Sequence, residues 1–310
     1  MSVERQSIEQ RAFIRRPIKP LAFKREIPPV VDSVIGHWTE AHGLGARIEY
    51  QDGFQNAYME AVRDGYTPVI VANHDSQSNA VSLVKPAYIL RGAANEVLPE
   101  DKRIQGFLLP LAASLDSGRQ GKFAKIAYDG AKPTMETYGI IPVLTTTKHD
   151  KENRDMIANP EQFMSDMREG IKEGYAVAVL AEGTVDGGRR DLNGKRNGMQ
   201  ELVDISLKTP YTLLKRYRKT EAIFIPVGIE GGTQVHDPAG RIPLPHTKAF
   251  LAGFGFGSAD MVIVRMGMPI KSDGPEIGEM VHAHNWEEVN NQVGKAIASL
   301  IPEEMRGVYR

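Results

Sequence analysis

The sequence predicts an α/β fold: a mostly parallel central sheet flanked by helices, with a small N-terminal helical extension. Segments with helical periodicity alternate along the chain with apolar segments of strand length. The strand segments are continuously apolar, which is typical of strands covered on both faces. At 310 residues, the chain is long enough for one large domain and an appendage. We expect a partly helical extension over residues 1–45 and one α/β domain over residues 46–310.

Two helix-then-strand units are the clearest elements of the domain. Asp52 and Gln55 predict a capping box, and apolar residues then recur at helical spacing until Gly65, directly before a strand at 67–73. A second helix begins at Pro160 and precedes a strand at 175–181; its apolar stripe consists of Phe163, Met164, Met167 and Ile171. This alternation of helices and strands is typical of βαβ units in a parallel sheet.

The remaining elements follow from composition and capping signals. Three further strands are predicted where aliphatic or β-branched residues stand between Gly, Pro or charged residues, at 139–145, 221–228 and 260–266. Helices are predicted at 199–208 and 286–300, the second capped by Asn285 with Glu288 three residues on. The apolar segment 105–115 leaves two alternatives open, a buried core segment or the lining of an acyl-chain groove.

Composition excludes several functional classes. The absence of cysteine excludes disulfides, a thiol nucleophile and thiolate metal sites. With 38 Lys+Arg against 39 Asp+Glu, the chain has almost no net charge, so no overall positive electrostatic potential favours binding of nucleic acid. No apolar segment reaches the roughly 20 residues of a membrane-spanning helix, so we expect a cytoplasmic protein. Seven basic and two acidic residues among the first 25 leave peripheral contact with a membrane surface open.

His74 is the strongest catalytic candidate because it stands where the strand at 67–73 ends. Parallel α/β sheets bind ligands at the carboxyl ends of their strands, and histidine suits general-base chemistry near neutral pH. A second polar turn, Glu182-Gly183-Thr184, follows the strand at 175–181. We expect the two turns to meet at one edge of the sheet.

Two cationic pairs follow other predicted strands. Lys148 and His149 come after the strand at 139–145, and Arg189 and Arg190 follow two glycines beyond Glu182. Charge-assisted hydrogen bonds from such side chains, together with exposed backbone amides, are suited to a phosphate group. Either pair alone could be an ordinary solvated loop.

These motifs, in this order, resemble those of the glycerolipid acyltransferases, most closely the soluble plastid-type glycerol-3-phosphate acyltransferases. The family pattern Asn-His-x4-Asp has its counterpart at 73–79, its Lys-His pair at 148–149 and its Gly-Gly-Arg turn at 187–189. The Glu-Gly-Thr block and a Val-Pro-Val-like strand correspond to 182–184 and 225–228. The resemblance covers about residues 65–232.

The resemblance implies transfer of an acyl group from a thioester of acyl carrier protein or coenzyme A to a phosphorylated glycerol acceptor. His74 would be the general base, Lys148, His149 and Arg189 would bind the acceptor phosphate, and Arg190 is a neighbouring candidate. The acceptor side of the pocket would be shaped by Glu182, Gly183 and Thr184. For Glu182, a turn-capping carboxylate is an equally open alternative. No metal or resident cofactor is implied.

One position departs from the family pattern. The acidic partner of the histidine should stand at residue 79, where this chain has Asn79. An amide oxygen can orient an imidazole, but it does not stabilise the imidazolium, a loss of about 10⁴ in turnover in serine proteases. The alternatives are a slow or divergent enzyme, an engineered inactive variant, and a lipid-binding relative without activity. A phosphate-handling hydrolase would use the same cationic residues.

Overall fold

The computed structural model describes residues 46–74, 79–112, 135–136, 139–145, 160–182, 198–203, 205–231 and 262–310. Within these ranges the strands are β1 Ala46–Tyr50, β2 Thr67–Ala72, β3 Phe107–Ala112, β4 Ile140–Thr145, β5 Ala176–Leu180, β6 Ala222–Glu230, β7 Val262–Met266 and β8 Ile270–Lys271. The helices are α1 Phe54–Arg63, α2 Asn79–Ser82, α3 Val84–Val97, α4 Pro160–Lys172, α5 Ile205–Leu213, α6 Gly278–His282 and α7 Trp286–Ala298. The extension predicted at 1–45 lies outside the described residues.

The strands form one eight-stranded sheet in the order β1-β7-β6-β2-β5-β3-β4, with β8 paired to β6. All pairings are parallel except those of β6 with β7 and with β8. The predicted α/β class with a mostly parallel central sheet is therefore confirmed. Because β7 pairs antiparallel with β6, strands β1 and β7 run in the direction opposite to β2, β3, β4, β5 and β6.

Helices cover both faces of the sheet, which explains the continuously apolar strands. Helices α1 and α3 pack on one face, where Phe54, Tyr58 and Leu90 meet side chains such as Ile70 and Leu109. Helices α4, α5 and α7 pack on the other, through residues that include Met167, Leu207, Trp286 and Val293. Every residue of β2 and of β5 is buried.

The five strands expected from the sequence are all present as β2, β4, β5, β6 and β7, and each end lies within a residue or two of the predicted bounds. The segment 105–115 contains β3. Its residues Phe107, Leu108 and Leu109 are at most 1% exposed, so this part is core. Strand β3 pairs with β5 only at Phe107 and Leu108. Pro110, which lacks an N–H, therefore lies beyond the part of β3 that pairs with β5.

Two helix boundaries differ from the sequence prediction. The capping box at Asp52 is wrong: α1 begins at Phe54, and Gly53 precedes it with a φ of 82° and no side-chain cap. The helix predicted at 199–208 begins later, at Ile205, and runs to Leu213 before a wider turn over Leu214–Arg218. Helix α7 does carry the predicted cap, because Asn285 accepts a hydrogen bond from the Glu288 N–H at 3.3 Å.

Among the described helices, none combines the length and the apolar character needed to cross a bilayer.

Candidate functional site

The candidate site lies at the carboxyl ends of β2 and β5, which are adjacent parallel strands. Helix α3, which follows β2, packs on one face of the sheet, and helix α5, which follows β5, packs on the other face. Divergent connections of this kind open a crevice between two strand ends, the usual ligand position in open α/β sheets. His74 and Glu182 each lie two residues beyond their strand, at this position in the topology, and the region outside the two strand ends is called the crevice below.

Glu182 joins the two strand ends through backbone hydrogen bonds. The residue is only 3% exposed. One carboxylate oxygen, Oε1, accepts a hydrogen bond from the His74 N–H at 2.7 Å, and Oε2 accepts one from the Gln200 N–H at 2.8 Å. The structure thus brings the two predicted polar turns together and favours the capping alternative for Glu182. Charge-assisted bonds to a buried carboxylate are strong, so the backbone at His74 is firmly held.

Asn73 closes the gap between β2 and β6 just before the histidine. The residue is 1% exposed. It donates to the Ile229 carbonyl at 3.0 Å and accepts from the Ile229 N–H at 2.6 Å. The amide side chain thereby replaces one step of backbone pairing where β2 has ended. These two hydrogen bonds fix the backbone position directly before His74.

Asn79 begins α2, and its side chain is fully buried. Its Nδ2 donates to the carbonyl oxygen of Asn73 at 3.2 Å. Carbonyl oxygens only accept hydrogen bonds, so this contact uses the one chemical feature that asparagine has and a carboxylate lacks. At residue 79, where the family pattern has an acid, the asparagine amide therefore has a specific hydrogen-bond partner, the Asn73 carbonyl oxygen.

The segment 198–203 presents Gln200 to the site, and the C-terminal turns hold it there. Met199 donates its N–H to the Met305 carbonyl at 2.8 Å, and the Leu202 N–H donates to the Tyr309 hydroxyl at 3.1 Å. Burial raises the pKa of Tyr309, and the nearby charges of Glu182 and Glu201 act in the same direction. The C-terminal turns therefore support the two backbone hydrogen bonds that Glu182 accepts, which we call the Glu182 clamp.

The other predicted site residues lie outside the described residues: Lys148, His149, Gly183, Thr184, Arg189 and Arg190. In sequence, Lys148 follows the end of β4 by three residues. Strand β4 is three positions from β2 in the sheet, which corresponds to about 14 Å at the usual strand spacing.

Asn73 and Gln200 were not predicted to have a role in the site, although Asn73 belongs to the Asn-His-x4-Asp pattern. Asn73 carried a usable signal, because a polar amide at the end of a buried apolar strand needs a hydrogen-bond partner. Gln200 carried none, since it contributes a backbone N–H that any residue except proline supplies. The partners of both residues are distant in the chain and follow only from the fold.

Replacing Asn73 by alanine should lower the free energy of unfolding by about 2–3 kcal/mol, because it leaves two buried backbone groups of Ile229 unpaired. Asn95 offers a matched control: it bonds the Ile104 carbonyl at 2.9 Å and the Ile104 N–H at 2.7 Å, between α3 and the start of β3. Urea unfolding should show similar losses for Asn73→Ala and Asn95→Ala. Hydrogen exchange followed by mass spectrometry should show increased exchange at residues 226–231 only for Asn73→Ala. Unchanged exchange there would contradict the bridging role.

No protein-family model matches the chain, and no curated protein sequence matches it significantly. Across the described part of the chain, no group of three or more His, Asp or Glu side chains is arranged to hold a metal ion.

Proposed function

We propose that the protein is an O-acyltransferase that moves a fatty acyl group from a thioester to the hydroxyl of glycerol-3-phosphate or a related phosphorylated acceptor. The donor is a thioester of acyl carrier protein or coenzyme A. The observation that best supports the proposal is the position of His74 at the crevice between β2 and β5, on a backbone fixed by Glu182 and Asn73. Half-buried, His74 can exchange protons with a bound acceptor.

In this reaction His74 acts as the general base. The imidazole takes the hydroxyl proton of the acceptor as its oxygen attacks the thioester carbonyl. The tetrahedral intermediate collapses, the C–S bond breaks, and the imidazolium returns the proton to the departing thiolate. The ester and a free thiol are the products. A fixed backbone keeps the imidazole close to the attack geometry, which is a large part of such rate accelerations.

The cationic residues bind the acceptor phosphate in this proposal. Lys148, His149, Arg189 and Arg190 follow, in sequence, the ends of strands β4 and β5. These ends lie on the same edge of the sheet as His74, because β2, β3, β4 and β5 are parallel. Gly183 and Thr184 shape the acceptor side of the pocket in this proposal, next to Glu182, whose carboxylate holds the backbone of His74 and Gln200.

Arg189→Ala should weaken binding of glycerol-3-phosphate by roughly 1.5–3 kcal/mol, the range for a hydrogen bond to a charged group. Calorimetric titration of the purified protein measures this loss. Arg63→Ala is a suitable control, because Arg63 ends α1 and is exposed at the opposite edge of the sheet. Equal affinity of Arg189→Ala and the unmodified protein would remove Arg189 from the site.

A second candidate function is a non-catalytic phospholipid- or acyl-chain-binding protein of the same fold. It is favoured by Asn79, whose amide is engaged with a backbone carbonyl where the family pattern has an acid. Incubation with labelled acyl thioester and glycerol-3-phosphate, followed by lipid extraction, separates the candidates. Label in an acylated glycerol phosphate supports the transferase, label left on the thioester supports the binding protein, and label in free fatty acid supports a hydrolase.

A further inference from the structure

Residues 73 and 74 share one peptide group, and two buried side chains bind it from opposite sides. Asn79 donates to its carbonyl oxygen at 3.2 Å, and Glu182 accepts from its N–H at 2.7 Å. In a trans peptide the C=O and N–H point in opposite directions, so the two bonds together oppose rotation of the peptide plane. That plane sets the direction in which the chain enters His74.

We infer that Asn79 is a positioning residue for His74 that acts through its donated hydrogen bond, and that residue 79 of this chain therefore requires an amide instead of a carboxylate. For acyl transfer, the inference depends on the proposed function. It reverses the expectation from the family pattern, in which an acid at this position would improve catalysis.

The physical reason lies in the chemistry of the two ends of the peptide. An ionised aspartate at position 79 has only acceptor atoms, and it would face another acceptor, the Asn73 carbonyl, in a fully buried site. A donor on the carbonyl also polarises the peptide and strengthens its N–H as a donor to Glu182. The two bonds are therefore coupled, and loss of one weakens the other.

The backbone amide of His74 reports on this coupling without any catalytic assay. In protein labelled with ¹⁵N-histidine, the His74 amide signal is assigned by its absence from His74→Gln. We expect it to exchange slowly with solvent and to lie downfield of the other histidine amides, because it donates to a buried carboxylate. Asn79→Asp and Asn79→Ala should each accelerate its exchange by about tenfold. Asn79→Ala adds no charge, so it keeps the test informative if Asn79→Asp does not fold.

Asn95→Asp is the matched control, because it removes an equivalent donor from the Ile104 carbonyl, remote from the site. It should lower stability and leave the His74 amide unchanged. An Asn79→Ala protein whose His74 amide exchanges at the original rate would overturn the inference. Combining Asn79→Ala with Glu182→Gln should give less than the sum of the two separate effects, since both act on one peptide.

Transfer rates on the same proteins separate this inference from the proposed function. We expect kcat to fall in Asn79→Asp while KM for the acceptor changes little, because the residue positions the base and does not bind substrate. A higher kcat in Asn79→Asp would overturn the positioning role in favour of an imidazole partner. If the amide data hold and the unmodified protein transfers no acyl group, the positioning role of Asn79 stands and the proposed function fails.

Discussion

Replacing His74 by alanine should reduce acyl transfer by a factor of about 10²–10⁴, the usual contribution of a general base. Stability should change little, because Glu182 bonds the backbone N–H of residue 74, which alanine retains. The half-buried imidazole also contributes little to the core. Transfer rates and thermal unfolding, measured on one preparation, separate the two effects.

His282→Ala provides the control for this prediction. His282 is an exposed histidine at the end of α6, far in sequence from the crevice. Its replacement should leave both transfer and stability unchanged, since exposed surface substitutions usually shift stability by less than about 0.5 kcal/mol. Transfer that survives in His74→Ala at the original rate would show that this histidine is not the base.

Replacing Glu182 by alanine should lower the free energy of unfolding by about 3–5 kcal/mol, because two buried N–H groups lose a charged acceptor. Glu182→Gln should cost about half as much, since an amide offers one oxygen in place of two. Urea unfolding measures both losses. Glu60→Ala, at an exposed glutamate on α1, should be neutral.

The Glu182 prediction also distinguishes the two roles considered for this residue. A carboxylate that mainly contacts the acceptor would change acceptor affinity and leave stability nearly unaltered. A carboxylate that holds the backbone of His74 and Gln200 together would change stability first, as its two hydrogen bonds indicate. A loss below about 1 kcal/mol in Glu182→Ala would contradict the clamp.

Local sequence signals were sufficient for most of the sheet. Strands β2 and β5 are apolar segments placed directly after a helix that ends near a glycine, and the structure has both. Helix α3 and strand β3 were not predicted as such because Pro86 and Gly92 weaken the helical signal and Pro110 weakens the strand signal. In both elements the proline lies where its missing N–H is tolerated: Pro86 in the first turn of α3, and Pro110 where β3 has left β5.

The candidate site was predictable only in part, for a physical reason. His74 and Glu182 were found from their positions after strands, since parallel strands end at one edge. The bonds that hold them were not predictable, because they connect a side chain to the backbone of residues far apart in the chain. The Asn73 bridge to Ile229 spans 156 residues, and the Glu182 bond to His74 spans 108. Contacts of this range depend on strand order and register, which the local sequence does not encode.

The most direct test of the proposed function is acceptor-dependent release of free thiol from an acyl thioester. The protein contains no cysteine, so a thiol-reactive dye detects only the released coenzyme A or acyl carrier protein, without background from the enzyme. We predict that thiol release from acyl thioesters of several chain lengths requires glycerol-3-phosphate and is lost in His74→Ala. Release at the same rate without the acceptor, or no release with either donor, would contradict acyl transfer as the function of this protein.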